Sequence, residues 1–209
     1  MKIELCSIDW GNVAQWVGAV GSIVVAILAI WGERIRTLLC LGPKLILELH
    51  DPMGERVPIQ NNSQVVGCGR WYHLRVSNKH KWTKAANVRI VIIELTKPAA
   101  DGNFIRQPLS GPLQLMWRFS HFHTLFSNVG PDDYCDLGSI YQNGDFTLTP
   151  FVFPGNFEGT LKANQKMRVM VQAHADNAES EPLSIEISWD GIWKDGDLEM
   201  SQHLVVKKM

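Results

Sequence analysis

The chain has 209 residues, with 20 Lys and Arg set against 21 Asp and Glu, and a near-neutral pI. That length holds one domain of ordinary size plus an appendage. A net charge of −1 supplies no global field to draw the protein to nucleic acid, so no nucleic-acid partner is expected. The four Cys, at positions 6, 40, 68 and 135, lack any Cys-x-x-Cys spacing and read as free thiols in a reducing compartment.

Residues 1–9 form a short polar tail holding Lys2, Glu4 and Asp9. From Trp10 to Trp31, "WGNVAQWVGAVGSIVVAILAIW", no residue is charged. As a helix this run of about 22 residues is ~32 Å long, close to the ~30 Å hydrocarbon core of a bilayer. Trp10, Trp16 and Trp31 lie toward its two ends, where amphipathic rings favour the headgroup region. A cleavable signal would carry its basic residues in front, whereas here Arg34, Arg36 and Lys44 follow. A buried helix of a soluble domain would show a polar face, and residues 16–31 have little beyond Ser22. The spacing predicts a transmembrane helix over 10–31. The positive charge behind it places the N-terminus outside and the remainder in the cytoplasm of a bacterial cell, anchored to inner-membrane lipid.

Ala14, Gly18, Ser22 and Ala26 recur every four residues and form one ridge of small side chains along the helix. Such ridges let two backbones approach within lipid, so a homo-oligomer is expected. Residues 32–43 continue the helical pattern as a juxtamembrane linker, with Ile35, Leu38 and Leu39 on one side and Gly42-Pro43 as the stop.

After residue 43 the period changes. "KLILELH" (44–50), "WYHLRVSN" (71–78), "NVRIVIIEL" (87–95), "KMRVMVQAH" (166–174), "LSIEISW" (183–189) and "HLVVKK" (203–208) are short, Val- and Ile-rich and often alternating, as strands are. Turn signals such as Asp51-Pro52, Asp101-Gly102 and Pro154-Gly155 separate them. "PLQLMWRFSHFHTLF" (112–126) reads as a short helix, and Asp190-Gly191 within "ISWDGIW" as a tight hairpin turn. Strand 71–78 is expected antiparallel beside 44–50. Many strands with few helices predict a mainly β domain over 44–209, a sandwich or barrel.

"YHLRVSN" followed by "AANVRIVIIEL", and the ending "ISWDGIWKDGDLEMSQHLVVKK", resemble small uncharacterised bacterial membrane proteins. In those, a single N-terminal helix precedes an immunoglobulin-like antiparallel β-sandwich containing an L-x-V-x-N … A-x-N-V strand pair. The resemblance spans most of the chain. It implies a fold in which the Asn closes a turn and the apolar positions build the core, and it implies no catalytic residue. Here the loop between the two strands is lengthened to "KHKWTKA".

That loop gathers Lys79, His80, Lys81, Trp82 and Lys84. It reads as a solvated turn, as a contact with the anionic inner leaflet, or as a grip on a phosphate-bearing ligand with Trp82 as stacking platform. His121 and His123 in "HFH" would share a face on a strand, with Asp132, Asp133 or Cys135 near in sequence, yet the spacing matches no zinc site. His73 reads as structural. Asp190, Asp195, Asp197 and Glu199 lack the register of a calcium loop and read as two successive turns. No nucleophile, phosphate-loop or dinucleotide motif occurs, so neither an enzyme nor a cofactor is expected. The expected function is a membrane-tethered cytoplasmic module that binds a protein or small ligand. The alternative is a ligand-sensing membrane effector of the anti-phage type, clustering through its helix to disturb the bilayer.

Overall fold

The computed structural model describes residues 10–38, 42–61, 64–80, 83–118, 127–129 and 132–209. The chain divides between Gly42 and Pro43 into two compact units. The first contains α1, one continuous helix from Trp10 to Leu38. The apolar run and the linker after it are therefore a single element, as a run without proline and with little β-branching after Ile30 permits. Within it Val13–Gly32, 20 residues, is long and apolar enough to cross a membrane, and none of that window is buried among the described residues.

The second unit is a β-sandwich of two antiparallel sheets packed together. Its elements are β1 (Leu45–Leu49), β2 (Glu55–Asn61), β3 (Gln64–Asn78), β4 (Ala85–Pro98), β5 (Phe104–Arg106), β6 (Leu113–Gln114), β7 (Ser127–Val129) and β8 (Asp133–Tyr141). β9 (Phe146–Leu148), β10 (Thr160–Leu161), β11 (Gln165–Ala175), β12 (Ala178–Glu179) and β13 (Leu183–Trp189) follow, then α2 (Asp197–His203) and β14 (Leu204–Lys208). One sheet runs β1-β3-β8-β9-β10 with β2 also on β3. The other runs β14-β13-β11-β4-β5, with β12 on β11 and β6 and β7 on β4.

Period-two alternation explains the core. In β13, Leu183, Ile185, Ile187 and Trp189 point inward and are buried, while Ser184, Glu186 and Ser188 face outward. Tyr72, Leu74 and Val76 of β3 meet Ile90 and Ile92 of β4 and Val169 and Val171 of β11 in one continuous cluster. β1 pairs with the second half of β3, Leu45 opposite Asn78, as the strand patterns predict. β2 pairs with the first half, Glu55 opposite Trp71, so β1 and β2 lie end to end along one edge. Gly54, between them, has a φ of +71°, and a Cβ there would stand 2.8 Å from the Tyr72 ring. Only glycine fits that turn.

Four local expectations are overturned. The segment 112–126 is not helical over its described part: Leu113–Gln114 is β6, and Leu115 and Trp117 form bridges to Pro150 and Cys135. Leu115 and Trp117 are buried at alternate positions, so the segment crosses extended from one sheet to the other. Asp190-Gly191 does not make a tight hairpin. The chain runs from there into α2 before β14 returns beside β13. Met200 is the apolar anchor of that short helix, which also replaces the second of the two turns expected there. Lastly, β3 and β4 do not pair, because the chain passes from one sheet to the other between them.

Candidate functional site

The outer face of the β1-β3-β8 sheet carries a polar cluster that begins with a fault in strand pairing. Tyr72 faces Gly138, but His73 faces Asp136, so β8 has one extra residue there. Leu137 and Gly138 both turn toward the core, and a Cβ on Gly138 would lie 2.5 Å from the Phe146 ring. Glycine thus admits the bulge, and the bulge brings the Asp136 carboxylate to the outer face opposite His73. His73 Nδ1 and Asp136 Oδ1 are 2.8 Å apart. The Asp136 backbone is pinned on both sides. Its N–H donates to Met116 O at 2.8 Å, and its carbonyl accepts the Thr149 hydroxyl at 2.8 Å.

Two further charges close over the imidazole. Glu55 reaches in from β2 and Arg118 from the strap after β6, and they form an ion pair. Glu55 Oε2 also lies 3.5 Å from His73 Nε2, beyond good hydrogen-bond length. Beside them a cleft of about 250 Å³ is lined by Val57, Trp71 and these four polar residues. A neighbouring hollow of about 350 Å³ shares Glu55, Trp71 and His73 and extends to His50 and Asp51 at the β1–β2 turn. The half-buried Trp71 lines both hollows.

The inner side of the same strands is chemically quiet. Burial and the neighbouring Asp136 charge push the Cys135 thiol well above its ordinary pKa, and it donates to Met116 O at 3.1 Å. Burial likewise raises the Tyr72 phenol. Arg70 is fully buried and donates to the Met53 and Gly54 carbonyls at 3.0 and 3.2 Å and to Asp197 at 2.8 Å. It ties the β1–β2 turn to the start of α2.

Ala14, Gly18, Ser22 and Ala26 lie on α1, all exposed, and Ser22 donates to the Gly18 carbonyl at 2.9 Å. The basic loop is a built turn, and the Asn of the motif closes it. Asn78 Oδ1 accepts the N–H groups of Lys44 (3.0 Å) and His80 (3.1 Å), and its amide donates to Thr83 O. Lys79 and Lys84 are exposed and His80 is half-buried, whereas Lys81 and Trp82 lie outside the described residues. Lys79 lies apart from the cleft, since the six steps along the chain from His73 to Lys79 span about 20 Å. His121 and His123 also lie outside the described residues. Of their suggested companions, Asp132 accepts from Arg75 at 2.7 Å and Cys135 is buried in the core. In the C-terminal acidic run, Asp190 meets His203 at 2.6 Å, Asp195 meets Arg56 at 3.0 Å and Asp197 meets Arg70. Among the described residues no group of three metal-binding side chains occurs.

Sequence reading noticed His73 but not its partners. Asp136, Glu55 and Arg118 come from three other segments. The one legible clue was Gly138 inside an otherwise strand-like run, which marks a bulge. No known protein family matches the chain in sequence, and no curated protein does either.

Proposed function

We propose that this chain is a membrane-tethered binding module without catalytic activity. α1 crosses the bacterial inner membrane with its N-terminus outside, and the sandwich stands in the cytoplasm, tied to the bilayer by the few residues between Leu38 and Leu45. One observation carries this reading. Every residue from Val13 to Trp31 is exposed among the described residues, including Trp16, Ile23, Leu28 and Ile30, which makes an apolar surface ~30 Å long. Lipid is the solvent in which such a helix is stable. Arg34, Arg36 and Lys44 behind the span support the inward domain, and free Cys68 and Cys135 suit a reducing compartment.

The binding part has two kinds of surface. Among the described residues β2 pairs with β3 alone, which offers a strand edge for a protein partner to extend, and Val152 and Phe153 stand exposed on the loop between β9 and β10. The cleft beside Trp71 suits a small ligand. The "YHLRVSN … AANV" motif supports grouping the chain with small bacterial single-pass proteins that carry an immunoglobulin-like sandwich, and its Asn closes the turn as that grouping requires.

Protease protection tests the topology. With a tag after Met209, the sandwich should resist protease added to intact spheroplasts and be digested once the membrane is opened. Digestion in intact spheroplasts reverses the orientation. A second reading, the oligomerising effector, is favoured by the open ridge, since a Cβ added at Gly18 meets nothing within 4 Å. If helix packing disturbs the bilayer, expression should slow growth and Gly18→Leu should restore it; unimpaired growth on expression removes this reading.

A further inference from the structure

Strand register lays a row of charge across the outer face of the second sheet. Arg106 of β5 lies opposite Thr96 of β4, which lies opposite Arg168 of β11. Arg168 in turn lies opposite Glu186 of β13, and Glu186 opposite Lys207 of β14. Directly opposed residues share a face, so five strands contribute to one line about 20 Å long. In the next row Lys166 faces Ser188 and Pro98 faces Phe104. The Phe104 ring seats two cations, the Arg168 guanidinium at 3.7 Å and Lys166 Nζ at 5.7 Å from its centroid.

These two rows hold four cations and one carboxylate. Glu186 is only 14 % exposed and is already bonded to Arg168 at 2.8 Å and to Lys207 at 3.0 Å. Arg106 and Lys166 are exposed and have no carboxylate partner among the described residues. The next carboxylate on this face, Glu94, lies opposite Met170, and beyond it Arg89 and Glu179 flank His174 and offset each other. The first sheet's outer face has the reverse balance, with Glu48, Glu55, Asp132 and Asp136 against Arg75, Arg118 and the titratable His73. A chain of net charge −1 thus turns one broad face positive.

Shape selects the kind of anion. The four cations are spread over an open strand face, and none of them lines the hollows described above. A compact anion finds no cradle there, whereas the headgroup plane of an acidic bilayer meets all four at once. Each basic side chain near such a surface favours it about fivefold.

We propose that this face rests on anionic phospholipid headgroups through Arg106, Lys166, Arg168 and Lys207. Such docking rests on the tethered reading, which keeps lipid within reach, and it leaves the His73 cleft, on the other sheet, turned away from lipid.

Lysine footprinting of the full chain in nanodiscs tests the docking. Acetylation of each lysine is followed by mass spectrometry in phosphatidylcholine discs and in discs that also contain phosphatidylglycerol. At low ionic strength Lys166 and Lys207 should react about fivefold more slowly with the acidic lipid, and high salt should remove the difference. Lys194, in the loop before α2, should react alike in both. Arg106→Glu combined with Lys166→Glu, both at exposed positions, should return Lys207 to its rate in phosphatidylcholine. The docking is overturned if Lys166 and Lys207 react equally in the two discs, if Lys194 slows as much, or if Lys79 and Lys84 are slowed in their place. It is overturned too if inorganic phosphate in phosphatidylcholine discs slows them equally, or if the doubly substituted chain keeps Lys207 protected. A chain that does not enter the discs loses the tether and the docking together. One that enters but shows no dependence on acidic lipid loses only the docking.

Discussion

His73 Nδ1 and Asp136 Oδ1 meet at 2.8 Å because β8 carries one residue too many between Asp136 and Gly138. In an unbroken ladder Leu137 would stand opposite His73, and a leucine would occupy the outer face in place of the carboxylate. Asp136→Ala leaves a 94 %-buried imidazole N–H without its acceptor, at a cost of about 1–3 kcal/mol. Thermal unfolding should show the loss, with Asp136→Asn, which keeps an acceptor oxygen, destabilised less than half as much. Equal melting of all three chains would show that the hydrogen bond contributes nothing.

The bulge itself can be tested at Gly138. An alanine methyl would sit 2.5 Å from the Phe146 ring and 2.8 Å from the Thr147 carbonyl, so Gly138→Ala should destabilise by about 2 kcal/mol or more. Gly155→Ala meets nothing within 4 Å and serves as the comparison, within about 0.5 kcal/mol of the parent. A harmless Gly138→Ala would mean that β8 is not bulged as described.

Arg70 asks for an unequal pair of results. Removing the buried guanidinium strands two carbonyls, so Arg70→Ala should cost about 3 kcal/mol. Asp197→Asn keeps an acceptor oxygen for the guanidinium and strands neither carbonyl, so it should cost less than Arg70→Ala. Proteolysis of the turn at 50–54 reports the same ranking, because Arg70 holds that turn closed.

Glu186 supplies a pH signature. Hydrogen bonds from Arg168 (2.8 Å) and then Lys207 (3.0 Å) hold its carboxyl below the ordinary 4.5. A depressed folded pKa stabilises the fold above the unfolded value, and the gain is lost as pH falls through the folded value. Glu186→Gln should therefore be less stable than the parent by about 1 kcal/mol at neutral pH, Lys207 adding little because it is exposed. The gap should close below about pH 4.5. A gap that persists in acid would assign the effect to packing.

Much of the fold was legible because its signals are local. The uncharged run from Trp10 forms a helix long and apolar enough to cross a membrane, "LSIEISW" alternates as a strand, and Asn78 closes its turn through His80 and Thr83. The failures came where tertiary pairing overrode local pattern. Leu113, Leu115 and Trp117 fit a helix by composition, but two sheet edges hold them extended. Asp190-Gly191 has hairpin chemistry, yet Gly191 at φ +96° leads into α2. The cleft was illegible for a further reason. Its four polar residues sit at 55, 73, 118 and 136, and only two unpredicted strands, β2 and β8, and an unpredicted bulge make them neighbours.

The claim on which the account turns is that hydrocarbon surrounds the helix between Val13 and Gly32. Fractionation of cells without detergent, followed by an alkaline wash of the membranes, tests it most directly. The intact chain should remain in the washed pellet, and Val24→Arg, which places a charge mid-span at about 2.5–3.5 kcal/mol, should release a measurable share. Recovery of the unaltered chain in the soluble fraction would contradict the account.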